Sequence, residues 1–388
     1  MKDYSAPRCL TALCFAALLA ACAHTPPQPA AAPPPPPPPP AAPSAPAAAP
    51  AAPAPTILPQ APRTYVVKTG DTLWGIASMY LQDPWRWPDI WYANPAIHNP
   101  HLIYPGDKLM LGYVNGRPSI AVVRNGQVVN ETGPQNLPVE KLEPEIRYEP
   151  LNQAIPAIPL NDIRQFLSNT RVVSKGELDD AGYLLRAVDG RPIMGSGIEV
   201  YARGLNRDGG DRYNLFRLGQ KYVDPQTGDT LGYQATYIGD GSVETWGDPS
   251  KLMLSSTVQE AMAGDRFLPV TTQQLNQSYL PHAPAQSVRG QIIAVLGGVL
   301  AIGQYQVVVL DRGSDAGLDP GSVLGIYTRG EKVKDPYAFD DLSSTVKLPE
   351  EREGTLLVFR TFPNVSYGLV MQATSEMHIL DVVKNPSP

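Results

Sequence analysis

Cysteine is almost missing from the 388 residues: there are three, Cys9, Cys14 and Cys22, all close to the N-terminus. Nothing downstream is able to form a disulfide or act as a thiolate, which excludes a transpeptidase of the cysteine type. Histidine is scarce as well, with five in the whole chain. His98 and His101 share a proline-flanked loop with only Asp107 downstream, a poor ligand set, so no metal is expected. His282 and His378 lie in unrelated contexts without zinc-peptidase spacing, and no G-x-S-x-G elbow accompanies them. An excess of positive charge is absent too: 31 Lys and Arg face 37 Asp and Glu, a formal net charge of -6. That balance lacks the footprint of a nucleic-acid binder. Past the N-terminal region no apolar run approaches the roughly 18 residues of a spanning helix. No cofactor motif is present.

What is abundant begins at the N-terminus. Lys2 and Arg8 precede "CLTALCFAALLAAC", an apolar run of signal-peptide length. Its end, Leu19-Ala20-Ala21-Cys22, resembles the bacterial lipobox. The resemblance implies removal of residues 1–21 and a lipid on Cys22, which would tie the protein to a membrane. Ala23 follows rather than an aspartate. In the lipoproteins this resembles, aspartate there favours the inner membrane, so the expected place is the periplasm, anchored to the outer membrane. Residues 22–62 are a proline- and alanine-rich linker with eight consecutive prolines, Pro33 to Pro40. Such a stretch cannot bury a core and is expected to be a disordered, semi-rigid spacer, rising about 3.1 Å per residue.

Tryptophan is rare but clustered. Trp85, Trp87 and Trp91 sit close together, with Trp74 just upstream, out of five in the chain. Around them runs "YVVKTGDTLWGIASMYLQDPWRWPDIWYANPAIHNPHLIYPGDKLML". Val66 and Val67 suit a short strand, Gly70 a turn, and Asp71 or Thr72 a helix N-cap. Leu73, Ile76, Ala77 and Tyr80 then recur at one helical face. Pro88 opens a second helix with Trp87, Ile90 and Trp91 on its apolar side. Asn94-Pro95 stops it, and Pro105-Gly106 turns into a strand near Lys108–Leu111.

This strand–helix–helix–strand pattern resembles the LysM domain through Tyr65, Gly70-Asp71-Thr72-Leu73-Trp74, Ile76-Ala77, Asn94-Pro95 and Ile103-Tyr104-Pro105-Gly106-Asp107-Lys108-Leu109. The resemblance implies binding of peptidoglycan or another N-acetylglucosamine-containing glycan. It places the site in a shallow groove of Gly70, Asp71, Thr72 and Leu73 facing Asn94, Pro95, Ala96, Ile97, Leu102 and Ile103. "LQDPWRWPD" departs from the usual module by lengthening the link between the helices. A domain this small needs a large aromatic payload, so Trp74, Trp87 and Trp91 are expected in its core. Trp85 is the ring left partly open for stacking on sugar.

The remainder reads as mainly β. "SIAVVRNGQVV" alternates about Asn125-Gly126 as a hairpin, and "PLNDIRQFLSN" is a short helix with Ile163, Phe166 and Leu167 on its apolar side. Beyond them the chain aligns with itself. "GYLLRAVDGRPIMGSGIEVYARG" answers "GQIIAVLGGVLAIGQYQVVVLDRG", and "NLFRLGQKYVDP" answers "GIYTRGEKVKDP". The expected organisation is thus multidomain: a small βααβ LysM (α+β) at 63–113, a connector at 114–170, and two β-rich, barrel-like units at 171–270 and 286–386. "GDGSVETWGD" is expected to turn at Asp240-Gly241, and Asp311, Asp315 and Asp319 to form turns. "FDDLSSTVKLPEEREG" reads as a solvated acidic loop. As a whole, residues 64–386 resemble an uncharacterised proteobacterial family of LysM-containing envelope proteins.

The expectation is a non-catalytic lipoprotein that holds or positions a protein partner of the β-rich units at the cell wall. Two alternatives stay open: a wall hydrolase or hydrolase activator, because a glycosidase needs only two carboxylates, and a purely structural spacer.

Overall fold

The computed structural model describes residues 54–91, 103–114, 116–124, 127–128, 154–168, 170–270, 279–297, 301–338 and 344–386. Cys22, the leader, most of the proline-rich linker, the His98 and His101 loop, and Asn94, Pro95, Ala96, Ile97 and Leu102 lie outside them. Among the described residues no helix is long and apolar enough to cross a membrane.

The first strand, β1 (Thr64–Val66), leads through a turn at Gly70 into helix α1 (Leu73–Tyr80). Gly70 holds a φ of 92°, a conformation an L side chain rarely adopts. Thr72 caps the helix: its hydroxyl oxygen accepts from the Gly75 N–H at 3.0 Å. The apolar face buries Leu73, Trp74, Ile76, Ala77 and Tyr80, the i, i+3, i+4, i+7 stripe plus Trp74. A 3-10 turn, Pro84–Arg86, runs into a short helix α2 (Trp87–Trp91). The next strand, β2 (Lys108–Val114), pairs antiparallel with β1 through Tyr65 opposite Leu109.

The hairpin expected in the connector forms and also extends this sheet. β3 (Arg117–Arg124) pairs with β2 from Arg117 to Val123, and β4 (Gln127–Val128) follows, in the order β1-β2-β3-β4. The last linker residues also depart from a free spacer. Leu58 donates to the Tyr80 carbonyl at 2.8 Å, Gln82 donates to Thr56 at 3.1 Å, and Ile57 packs on the core. Ile57 and Leu58 are large apolar groups in a proline-alanine tract, and they gain by leaving water.

After helix α3 (Leu160–Ser168) come β5 (Thr170–Val173) and the capped turn α4 (Lys175–Asp179). Six strands then close on themselves: β6 (Gly182–Ala187), β7 (Glu199–Arg203), β8 (Arg212–Val223), β9 (Thr230–Thr245), β10 (Ser250–Thr257) and β11 (Arg266–Pro269). Their order is β10-β7-β6-β11-β8-β9, β9 pairs back to β10, and β5 adds to β9. The final region holds β12 (Arg289–Leu296), β13 (Val307–Leu310), β14 (Val323–Tyr327), a side hairpin of β15 (Lys332–Lys334) and β16 (Thr345–Lys347), β17 (Arg352–Thr361), β18 (Ser366–Ala373) and β19 (Val382–Lys384). Leaving the side hairpin out, its strands form a closed barrel, β12-β13-β18-β17-β14-β19. Counted from its own first strand, each ring pairs first with second, second with fifth, fifth with fourth, fourth with third, third with sixth, and sixth with first.

Three local readings change. Asp240 and Gly241 lie inside β9, opposite Ser256 and Leu254, and make no turn. Glycine is needed there for closeness: a Cβ on the neighbouring Gly239 would stand 2.2 Å from the Ser256 carbonyl. Asp311 is no turn former either; it is 2% exposed at the end of β13 and accepts from the Gln291 N–H at 2.6 Å. Part of the expected acidic loop pairs as β16.

The interior of the first ring is filled by Leu215, Leu252 and Phe267, and that of the second by Val308, Leu324, Val358 and Val370. The alternate residues on the outside of the second barrel, Val309, Leu357, Phe359 and Tyr367, belong to one apolar cluster with Trp74, Trp87, Trp91 and Ile163. β13, β14 and β18 are therefore buried on both faces, which is why "VVVL" and "VLGIY" do not alternate. The half-buried Arg360 guanidinium reinforces this junction by donating to the carbonyls of Phe166, Leu167 and Thr170, so the end of α3 does not lack partners.

Candidate functional site

The loop between β1 and α1 supplies one wall of the expected groove. Gly70 is exposed at its tip, and Asp71 and Thr72 are half-buried. The Asp71 carboxylate accepts from the Tyr65 hydroxyl at 2.9 Å and from the Lys68 N–H at 2.8 Å, which fixes the loop. Burial, and then this carboxylate, push the Tyr65 phenol above its ordinary range, so the hydroxyl stays a donor. Thr72 is engaged as the helix cap. Neither side chain is idle, so recognition at this wall falls mainly to the backbone.

Leu73 and Ile103, both expected to line the groove, are 0% and 1% exposed. Both residues belong to the core, side chain and backbone alike. The opposite wall is organised by the turn from Tyr104 to Asp107. The Gly106 N–H donates to the Val67 carbonyl at 2.8 Å, and Val67 donates to the Asp107 carbonyl at 2.9 Å. This holds Ile103 across from the start of α1.

Between the two walls lies a segment that sequence reasoning left in the connector. The Leu73 N–H donates to the Pro156 carbonyl at 3.0 Å, and the Trp74 N–H to Ala157 at 3.1 Å. On the other side the Ile155 N–H donates to the Ile103 carbonyl at 2.9 Å. Ile155, Ala157 and Ile158 are 4%, 3% and 0% exposed. The only signal in the sequence is the run "AIPAIPL", which has neither helical nor strand period.

The tryptophans divide as expected. Trp74 is 2% exposed, and Trp87 and Trp91 are fully buried in edge-to-face contact at 6.0 Å between ring centres. Trp85, in the lengthened link, is half-buried against the same cluster.

A second concavity, about 530 Å³, opens at one end of the second barrel, lined in part by Arg329, Glu351, Glu353, His378 and Asp381. Glu353 and Asp381 are each 7% exposed. Burial first, and then the adjacent Asp381 carboxylate, push the Glu353 carboxyl up to about 7. Elsewhere on the second barrel the Ser322 hydroxyl donates to Asp319, and the same carboxylate meets His282 Nε2 at 2.9 Å.

Residues 65–111 match the LysM domain family, which suggests peptidoglycan or a related carbohydrate as ligand. A stretch of 61 residues is 41% identical to the uncharacterized protein YqbP of Bacillus subtilis (strain 168). The matched stretch is 13% of this chain and 28% of that protein, so the likeness is confined to a small part of each.

Proposed function

We propose that this protein is a non-catalytic, peptidoglycan-binding envelope lipoprotein whose LysM domain holds the β-rich region at the cell wall. The observation that carries the reading is the LysM match at residues 65–111, laid over the Gly70–Thr72 loop and the capped start of α1. Gly70, Asp71, Thr72 and the peptide groups of Leu73 and Ile103 form the described part of the binding surface. Asn94, Pro95, Ala96, Ile97 and Leu102 complete it, with Trp85 as a flanking ring. The two β rings derive from one duplicated unit, a view supported by their common pairing order and by the self-alignment of the sequence. They engage a protein partner or stiffen the assembly.

The full chain is expected to sediment with purified sacculi, to be displaced by soluble N-acetylglucosamine oligomers, and to release no soluble muropeptides. Release of muropeptides on a zymogram would establish a hydrolase instead. Failure to sediment would remove the wall-binding role.

The lipobox resemblance leads to a separate expectation. Cys22→Ser removes the thiol that receives the lipid, and the variant should move from the membrane fraction to the soluble periplasmic fraction. Retention of Cys22→Ser on membranes at high salt would rule out this anchor.

A further inference from the structure

We propose that Ile155–Ile158 is a built-in occupant of the LysM groove, a strap that glycan must displace before the wall is bound. The inference rests on the glycan-binding reading above and adds a mechanism of control to it.

The first turn of a helix leaves backbone N–H groups without intrahelical partners, and these are natural donors to a carbonyl ligand such as an acetamide. In α1 the Gly75 N–H is taken by Thr72. The two that remain toward the groove, Leu73 and Trp74, donate to Pro156 at 3.0 Å and Ala157 at 3.1 Å. An acetamide oxygen seeking either donor meets an acceptor already in place.

The strap also reaches the opposite wall, through the Ile155 N–H on the Ile103 carbonyl at 2.9 Å. It therefore spans both edges of the groove with peptide groups, as an extended ligand would. Pro156 and Pro159 restrict the segment and lessen the entropy lost on docking. Ile155 and Ile158 add apolar anchorage in the cluster that contains Trp74 and Trp91.

Being covalently attached, the strap competes at a high effective concentration, and the apparent affinity for sugar is the intrinsic affinity multiplied by the fraction of molecules in which the strap is released. A single short oligosaccharide binds weakly under that competition. Release of the strap also frees the chain leading into α3, whose end is held by Arg360 of the second barrel. The β-rich region and the groove are thereby coupled through one segment.

The test uses the full chain and the N-acetylglucosamine tetramer as probe, with hydrogen exchange read at individual amides. Ile155→Ala loosens the strap while keeping every backbone donor, and should bind the tetramer about tenfold more tightly than the wild type. In the wild type at saturating tetramer, the Ile155 amide should lose protection while the Leu73 and Trp74 amides keep theirs. The wild-type exchange measurement decides the matter even if Ile155→Ala folds poorly. Tetramer binding with the Ile155 amide still protected, and with no gain in affinity for a folded Ile155→Ala, would overturn the strap and leave the glycan site standing. No binding by either folded protein would overturn the glycan reading and the strap together.

Discussion

Trp91→Ala is expected to lower the stability of the chain by about 3–5 kcal/mol, the range for truncating a fully buried large aromatic. Trp91 is fully buried and meets Trp87 edge-to-face. It also belongs to the cluster that includes Ile163 of α3 and Phe359 and Tyr367 of the second barrel, so a cavity there loosens more than the LysM domain. Trp85→Ala removes a half-buried ring from the periphery of the same cluster and should cost about 1 kcal/mol. Urea unfolding of both variants, followed by far-ultraviolet circular dichroism and by the remaining tryptophan fluorescence, checks the difference. Equal losses would make Trp85 a core residue and remove it from the flank of the glycan site.

Glu353→Gln should stabilise the protein at pH 8 by on the order of 2 kcal/mol and change little at pH 4. The sign follows from the protons bound on each side. Glu353 titrates near 7 in the fold and near its ordinary 4.5 when unfolded. Between those values the folded state holds a proton that the unfolded chain has lost, so stability falls as pH rises from about 4.5 to 7. Glu350 acts in the opposite sense. The Arg289 guanidinium first, and then Lys384, hold its carboxyl down to about 2, so its contribution is lost as pH falls below about 4.5. Comparing Glu353→Gln with the wild type at the two pH values cancels Glu350 and isolates the pair. A difference that does not vary with pH would mean that Glu353 is ionised in the folded protein.

Local signals are sufficient where short-range chemistry decides the structure. The Gly70 turn, the Thr72 cap and the spacing of Leu73, Ile76, Ala77 and Tyr80 place α1, and the same reasoning puts Trp74, Trp87 and Trp91 inside. The helix at Leu160–Ser168 and the hairpin of β3 and β4 were legible for the same reason, because a periodic apolar face or a turn pair specifies its own partner. The barrel-like character of the last region followed from short strands and regular turns, and the closed ring of six agrees with it. Its extra burial did not, since "VVVL" is apolar on both faces only because a second element covers the outside.

Tertiary structure alone decided what happens at the groove. Leu73 and Ile103 read as wall residues, yet they are core, because a domain this small spends its apolar side chains on packing. "AIPAIPL" has no period and no cap, and nothing within it indicates a partner far away in sequence. It docks because the start of α1 has N–H groups to satisfy and Ile103 has a carbonyl to offer, and only the fold brings those two edges within one peptide's reach.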